Sequence, residues 1–448
     1  EALKRLRGAN ALFVPPDAET VQFFKRRGFK VYLTANAFGG KTAWSDFADA
    51  RPVLADGRLL DAETGGGHGG VCPTHEGWRT ARLGEIMSWI RRLTGPDGID
   101  GIWLDFIRYP GAWEKGSIPD TCYCPRCLAK FQRDTGIALP TAPDKPAEAA
   151  AWIRKNRPYE WMAWKKEQIA SFAREVRSVM APAADASPQR QGAGESGGRR
   201  QEKRLALGAF VVPWTKGERD GAVSFLLGQD AFALSGIVDV ISPMLYHRMT
   251  GRDAAWVGEM TAYYREQARS AVWPIIQAGE TAPEEFAEAA RYTGMGDADG
   301  LLAFSFRDLD GAKRRALASF KPPENLIPDP DFPSGSPAPQ AALLPPSWSA
   351  KDGGTGGGQR PRYEIRSSDE FRKSGEAAPG RPFRCLGTVG GTSVSGEWSA
   401  ALPACKPGET YRLSALFHRG TSNELSYSTV SLWGERFLLE QHVPETFQ

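Results

Sequence analysis

The sequence has few of the residues that build catalytic metal sites or nucleic-acid surfaces. Its 448 residues include only five His and six Cys, and the zinc-hydrolase pattern His-Glu-x-x-His is missing. Lys plus Arg number 56 against 53 for Asp plus Glu, a net charge of +3 that indicates no nucleic-acid partner. No apolar run reaches the ~20 residues that cross a bilayer, so no membrane span is expected.

What the chain does contain is an alternation of short apolar runs and amphipathic stretches up to about Phe320, as in βα units with a parallel sheet. Strands are expected at Ala11–Pro15, Lys30–Ala35, Gly101–Ile107, Leu205–Val212, Val238–Leu245, Val272–Gln277 and Gly300–Phe306. Helices are expected at Trp78–Leu93, Leu128–Asp134, Tyr159–Met180, Ala254–Arg269 and Pro283–Tyr292. This pattern predicts an α/β fold over residues 1–320, a (β/α)8 TIM barrel whose first strand precedes Glu1.

The remaining segments differ in composition from the barrel. Residues 181–204 are polar and Gly-rich, which predicts a disordered insertion. Residues 321–333 are Pro-rich and predict a linker. From 334 to 448, strand-like alternation with Gly and Pro turns predicts an all-β sandwich, and we expect this domain to be truncated.

Chemistry-bearing side chains follow the strands at their carboxyl ends, where TIM barrels carry their active sites. Asp105 ends a strand that is apolar on both faces, so its charge has little structural reason to lie there. Asp100 and Asp239 lie at the starts of strands, where turn or capping roles are expected. The other rim residues are candidates for substrate binding: Asn36, Arg108, Tyr109, Trp214, Tyr246, His247, Gln277 and Asp308.

Two carboxylates among aromatic and amide groups are the set that glycoside hydrolysis requires. Asp105 is the first candidate, and an ion pair with Arg108 is the structural alternative for it. Glu280 is the second candidate, although it also fits a helix-entry loop. Glu218 and Asp308 are further alternatives. No catalytic cofactor is expected.

Four cysteines form a second group. Cys122, Cys124 and Cys127 lie within six positions, and Cys72 precedes them in a neighbouring rim loop. They could form a tetrahedral thiolate site for structural zinc, with His75 as an alternative ligand. Disulfide bonds are the competing interpretation if the protein is secreted. In either case the group is expected to hold a loop in place.

Several of these motifs resemble a group of uncharacterised bacterial TIM barrels of glycoside-hydrolase type, distantly related to the α-amylase clan. The motifs are Val71-Cys-Pro, Asp100-Gly-Ile-Trp-Leu-Asp-Phe-Ile-Arg-Tyr-Pro, Cys122-Tyr-Cys-Pro-Arg-Cys, Val238-Asp-Val-Ile-Ser-Pro-Met-Leu-Tyr and Asp299-Gly-Leu-Leu-Ala-Phe-Ser. The resemblance covers residues 1–320 and implies that Asp105 is the nucleophile. The sequence departs from the clan at Leu207–Trp214, which lacks the expected acid/base Glu. If the arrangement instead follows enzymes that place their two carboxylates on the fourth and seventh barrel strands, Asp105 is the acid/base and Glu280 the nucleophile.

A weaker resemblance covers residues 324–448. Asn325-Leu-Ile-Pro-Asp-Pro-Asp-Phe and Cys405-Lys-Pro-Gly-Glu-Thr-Tyr are similar to segments of carbohydrate-binding β-sandwich modules. Cys385 and Cys405 could form a bridge within this module, consistent with an oxidising compartment. Trp398 and Trp433 are candidate sugar platforms, although a buried core position is the commoner use of Trp in such sandwiches.

Together these features predict a secreted or periplasmic bacterial glycoside hydrolase acting on an oligo- or polysaccharide. The alternative is a non-catalytic carbohydrate-binding or cell-envelope protein on a barrel scaffold. A lyase or esterase that uses Tyr246 and His247 is a third possibility.

Overall fold

A computed structural model describes residues 6–320 apart from 7, 66, 117, 143 and 182–203, together with six strands between residues 348 and 442. The chain divides into two units. The first comprises Glu1–Pro323 with Pro379–Arg381, and the second comprises Glu324–Ala378 with Pro382–Gln448. The predicted insertion and linker lie almost wholly outside the described residues.

The first unit contains a parallel sheet with strands at all seven predicted positions. The strands are β1 (Ala11–Phe13), β2 (Lys30–Asn36), β3 (Gly101–Asp105), β4 (Ala206–Val211), β5 (Val240–Leu245), β6 (Ala271–Val272), β7 (Ile275–Gln277) and β8 (Leu302–Phe304). Their order is β1-β2-β3-β4-β5-β7-β8, with β6 also paired to β5. One predicted strand is divided into β6 and β7 around Pro274, whose ring nitrogen has no proton to donate to the ladder.

Helices connect successive strands. They are α1 (Ala18–Lys25), α2 (Ala43–Asp46), α3 (Glu76–Leu93), α4 (Pro125–Thr135), α5 (Pro146–Asn156), α6 (Pro158–Met180), α7 (Ala222–Phe225), α8 (Ala231–Ser235), α9 (Ala254–Gln267), α10 (Pro283–Met295) and α11 (Gly311–Ser319). Asp17, Asp230, Asp253 and Asp310 cap helix N-termini by accepting backbone N–H groups of the first turn. Among the described helices, none combines the length and apolar character needed to cross a bilayer.

The two faces of the sheet have different partners because successive strand residues point to opposite sides. One face, with residues such as Leu33, Leu104 and Ile241, is buried in the main core beneath the helices. The other is aromatic, with Tyr32 and Trp103 in a separate buried cluster.

The aromatic contacts show that the sheet curls. Phe13 on β1 lies 5.7 Å from Phe210 on β4, although two strands separate β1 from β4 in the sheet. Trp103 stacks on Trp273 at 5.5 Å and fills the concave side. A Cβ at Gly208 would lie 2.0 Å from the Trp103 ring, so glycine on β4 is required for this packing. Asp105 lies two residues after Trp103 and therefore points to the same concave side.

The second unit contains three antiparallel strand pairs. β10 (Arg362–Ser367) pairs with β11 (Arg384–Val389), β12 (Gly396–Ala400) with β9 (Trp348–Asp352), and β13 (Thr429–Gly434) with β14 (Phe437–His442). The strands support an all-β character, and the sandwich itself stays a prediction. Cys405 and the side chains of Cys385, Trp398 and Trp433 lie outside the described residues.

Candidate functional site

Asp105 ends β3 beside Asn36 of β2, its partner in the parallel ladder. Its carboxylate oxygen Oδ1 accepts a hydrogen bond of 2.7 Å from the backbone N–H of Phe106. Burial raises the pKa of the Asp105 carboxyl above its usual value, and the negative charge of Glu114 raises it further. The Phe106 hydrogen bond and the charges of Arg108 and His68 lower the pKa in part. A buried carboxyl of this kind is suited to hold a proton.

Arg108 does not form the ion pair with Asp105 that the sequence left open. Its guanidinium donates to the carbonyl oxygens of Tyr109 and Gly111 at 3.3 and 3.0 Å, and its side chain is buried. It therefore acts on Asp105 through charge at a distance while it fixes the path of the loop. Among the described residues, the Asp105 carboxylate has no ion-pair partner within 4.0 Å.

The loop after β3 begins with backbone strain. Phe106 has φ of 50°, in the left-handed region that side chains other than glycine rarely adopt. Its ring packs against Gly39, where a Cβ would lie 2.5 Å away, so glycine is needed at position 39. Such strain costs about 1 to 3 kcal/mol and is concentrated at functional sites.

The same loop then forms a 3₁₀ helix, Trp113–Lys115, that ends at Gly116 with φ of 69°. This turn buries Trp113 and leaves Glu114 half-buried. The charge of Glu114 acts on Asp105, Arg108 and Tyr246. Glu114 is thus a second carboxylate whose charge reaches Asp105, on the loop that follows the same strand.

Aromatic side chains lie next to these carboxylates. Tyr246, after β5, is 5.9 Å from Trp113 and stacks on Phe304 of β8 at 5.3 Å. Burial raises the pKa of the Tyr246 phenol, and the charges of Asp105 and Glu114 raise it further. Phe304 is 53% exposed. An exposed ring supported by a buried one offers an apolar platform to a ligand.

His68 contributes a basic group from the loop after β2. It is exposed in the loop after β2, and its ring lies 5.7 Å from that of Phe106. Its charge lowers the pKa of Asp105. Glycines at 65, 67, 69 and 70 surround it, so the backbone there can approach other loops closely.

Several candidate substrate-binding residues make contacts within the protein in this structure. The Asn36 side-chain amide donates to the Gly39 carbonyl oxygen and accepts from the Gly39 N–H. The Gln277 side-chain oxygen accepts from the Met249 N–H at 3.0 Å. Trp214 is buried beneath the Arg219 guanidinium, 4.9 Å from the ring centroid. Asp308 is exposed and accepts from the Ser305 hydroxyl.

His247 is a predicted substrate-binding residue of the rim, but its side chain is not accessible to a substrate. Its side chain is fully buried, and its Nε2 lies 3.0 Å from Glu285, which also binds Arg248. Burial lowers the pKa of His247. This side chain presents no surface to a ligand.

Glu280 is exposed and has φ of 58°. It follows β7. Glu280 is not among the charged groups that shift the pKa of Asp105, which are Arg108, Glu114 and His68. Its catalytic role stays a prediction. Glu218, another candidate, forms an ion pair of 2.9 Å with Arg252.

The four cysteines of the first unit form one buried cluster. Cys72, Cys122, Cys124 and Cys127 are free thiols whose sulfur atoms all lie within 4.8 Å of one another. No disulfide bond links these four cysteines in this structure. His75 is not part of the cluster, since its Nε2 bonds Asp49 and its Nδ1 accepts the Trp78 N–H at the start of α3.

Comparisons with known proteins give only distant likenesses. No protein-family model and no curated protein matches the chain. Among solved structures, the chain is similar to the cold-adapted β-galactosidase from Rahnella sp. R3, with a TM-score of 0.47 and 12% identity over 71% of this chain and 52% of that one. For a GH42 β-galactosidase from G. stearothermophilus the TM-score is 0.48, with 12% identity and the same two coverages.

The catalytic domain of a β-amylase from Paenibacillus polymyxa has a TM-score of 0.45 and 11% identity over 71% of this chain and 92% of that domain. The chain spans about half the length of the two β-galactosidases. At such low TM-scores and identities, these likenesses assign neither substrate nor mechanism. The chemistry of the site rests on the side chains of this chain.

Sequence reasoning missed Glu114, His68 and Phe304. Glu114 and His68 lie inside long loops after strands β3 and β2, where no periodic pattern marks a position for function. The available signals were the Trp113-Glu114 pair four residues after Arg108-Tyr109, and a histidine within a run of glycines. Loops at the carboxyl edge of a parallel sheet are where functional side chains concentrate.

A cavity of about 1060 Å³ lies elsewhere, at the first turns of α9 and α10. Arg248, Arg252 and Arg291 line it together with Glu284, Glu285 and Glu288. Its three arginines are each paired with a carboxylate, Arg248 with Glu285, Arg291 with Glu288 and Arg252 with Glu218. We therefore place the candidate active site at Asp105 and not at this cavity.

Proposed function

We propose that this protein is a glycoside hydrolase that uses Asp105 and Glu114 as its pair of carboxyl groups. The observation that supports this most is at the end of β3, where burial and the negative charge of Glu114 raise the pKa of the Asp105 carboxyl, and both carboxylates act on Tyr246. Glycoside hydrolysis needs one protonated carboxyl and one ionised carboxylate around the scissile bond. Burial and a neighbouring negative charge separate the two groups into those roles.

Asp105 is the general acid in this proposal, because burial and Glu114 raise its pKa and keep it protonated to higher pH. Glu114 is the ionised partner that attacks the anomeric carbon or activates water. The exposed Phe304 ring on Tyr246 supports a sugar face. A separation near ~5 Å between the carboxyl groups gives retention, and ~6.5 to 9.5 Å gives inversion.

The test is release of reducing ends from a panel of bacterial and plant polysaccharides. With a substrate identified, Asp105→Asn and Glu114→Gln should each lower kcat by about 10³-fold, as for loss of a general acid or base. Glu259→Gln, an exposed residue of α9, is the matched control and should retain activity.

Glu280→Gln distinguishes the two pairings. Loss of activity in Glu280→Gln with an active Glu114→Gln would overturn the assignment of Glu114. Binding of a glycan without any release of reducing ends would instead support the non-catalytic carbohydrate-binding protein. Proton NMR of the first anomer released then decides between retention and inversion.

A further inference from the structure

The cysteine cluster has the dimensions of a tetrahedral metal site. The Cys72 sulfur lies 3.8 Å from that of Cys124 and 3.4 Å from that of Cys127. In a ZnS4 tetrahedron with bonds near ~2.3 Å, the sulfur atoms are ~3.8 Å apart. Disulfide sulfurs, by contrast, are bonded at ~2.05 Å.

The surroundings donate hydrogen bonds to sulfur, as expected for thiolates. The N–H of Val53 points to the Cys122 sulfur at 3.3 Å, and that of Cys127 points to the Cys124 sulfur at 3.5 Å. The Thr74 hydroxyl lies 3.1 and 3.2 Å from the sulfurs of Cys72 and Cys127. Outer hydrogen bonds of this kind orient metal ligands.

A buried cation nearby lacks a carboxylate partner. Lys165 of α6 is 0% exposed, and its ammonium donates only to the carbonyl oxygens of Phe225 and Leu226, at 3.0 and 2.8 Å. It also lies 4.4 Å from the centroid of the Tyr109 ring. No carboxylate of the described residues lies within 4.0 Å of it, and the groups whose charge acts on it from further away are Asp120, Cys122 and Cys127. Burying an unpaired charge is costly, and a zinc ion with four thiolates carries a compensating charge of −2.

We propose that Cys72, Cys122, Cys124 and Cys127 bind one Zn²⁺ as a closed structural centre, and that this centre anchors the loop that carries Glu114. The loop leaves β3 at Asp105 and ends at Cys122, so the strand holds one end and the metal site the other. The loop after β2, which carries His68, is anchored in the same way, because Cys72 lies four residues after His68. Zinc binding by the four cysteines does not depend on the reaction at Asp105, whereas the effect of the anchored loop on activity rests on the proposed function of Glu114.

The test begins with the whole protein purified without chelators from cells grown with zinc. Elemental analysis should give about one zinc per chain. Cobalt in place of zinc should give thiolate-to-cobalt absorption in the near ultraviolet and the visible bands of tetrahedral Co²⁺. Removing zinc with a mercurial and a chelator should lower the melting temperature, and zinc addition after thiol reduction should restore it.

Cys124→Ser should lose the metal, whereas Glu259→Gln, the exposed control variant of α9, should keep it. If the ligand variant does not fold, the cobalt spectrum of the wild-type protein decides. The proposal is overturned if the purified chain takes up neither zinc nor cobalt and mass spectrometry finds the four thiols free or in disulfides. Iron as the bound metal would overturn the assignment of zinc.

Discussion

Asp100 and Asp105 lie at opposite ends of strand β3, and their surroundings differ. The Asp100 carboxylate accepts hydrogen bonds from Lys25 at 2.8 Å and from the N–H of Val31 at 2.7 Å, so it joins β3 to β2 and α1. The only hydrogen bond to the Asp105 carboxylate among the described residues comes from the N–H of the next residue. One carboxylate stabilises the sheet, and the other, on the half-buried Asp105, makes no comparable link.

The starts of two other strands repeat the Asp100 arrangement. Asp239, before β5, accepts the N–H of Leu207 on β4 at 2.8 Å. Asp299, before β8, accepts the N–H of Val272 on β6 at 2.8 Å. The amino edge of the sheet therefore uses carboxylates as links between strands. Asp105, at the carboxyl edge, links no strands, and this is the pattern of a residue kept for chemistry.

The largest expected effect is on activity. Asp105→Asn should lower kcat by about 10³-fold, because the general acid is lost while the shape of the side chain is kept. Asp100→Asn should change kcat less than about twofold at a temperature where the variant is folded. The measurement is kcat on the substrate found in the glycan panel. Comparable losses in both variants would remove the distinction between the two ends of β3.

The next effect concerns the loop that leaves the carboxyl end of β3. Zinc that is ~1,000-fold above its dissociation constant would stabilise the folded chain by about 4 kcal/mol, so removing it should lower stability by that amount. Activity should fall with metal content, because Glu114 lies on the anchored loop. Parallel titrations of zinc, melting temperature and kcat measure this. Full activity in a folded, metal-free chain would show that the loop does not need the anchor.

A smaller effect is expected at the amino edge. Asp100→Asn removes the ion pair to a largely buried Lys25 and should lower the free energy of unfolding by about 2 to 4 kcal/mol. Denaturant unfolding in urea measures this change. Asp239→Asn is the comparison, and its loss should be smaller because the Asp239 side chain is 29% exposed. Equal losses would mean that burial does not set the strength of these links.

A feature can be predicted from the sequence when the residues that determine it lie close together in the chain. The seven strands were predictable because short apolar runs are local signals, and the different roles of Asp100 and Asp105 followed from their places on one strand. The cysteine group was predictable from spacing. The position of Glu114 was not, because its turn depends on Trp113 packing near Tyr246, more than 130 residues later in the chain.

Lys165 was hidden for a similar reason. It stands between Trp164 and Lys166 in a helix with many charged residues, so its sequence context suggests a solvated side chain. Its burial depends on the C-terminal end of α7, where Phe225 and Leu226 supply the carbonyl oxygens. Contacts between segments so far apart leave no periodic trace in either segment.

The smallest effect is a gain in stability at the carboxyl end of β3. The pKa of Asp105 is raised in the folded chain above the usual value of 3.8, so the folded state keeps its proton when the unfolded state has lost it. Above the folded pKa, the buried charge lowers stability, and below 3.8 the penalty vanishes. Asp105→Asn should therefore raise the melting temperature by about 1 to 3 °C at pH 7 and leave it unchanged at low pH.

Asp310, the N-cap of α11, gives the opposite sign and serves as the control. Hydrogen bonds from the N–H groups of Lys313 and Ala312 lower its pKa, so its ionised form stabilises the folded chain. Asp310→Ala should lower the melting temperature at pH 7, and the loss should shrink as pH falls through the lowered pKa, because a protonated Asp310 caps less well. Differential scanning calorimetry of both variants across pH measures the two slopes. An Asp105→Asn variant that is less stable than wild type at pH 7 would mean that the Asp105 carboxylate stabilises the fold as Asp100 does, and the contrast between the ends of β3 would then be one of degree.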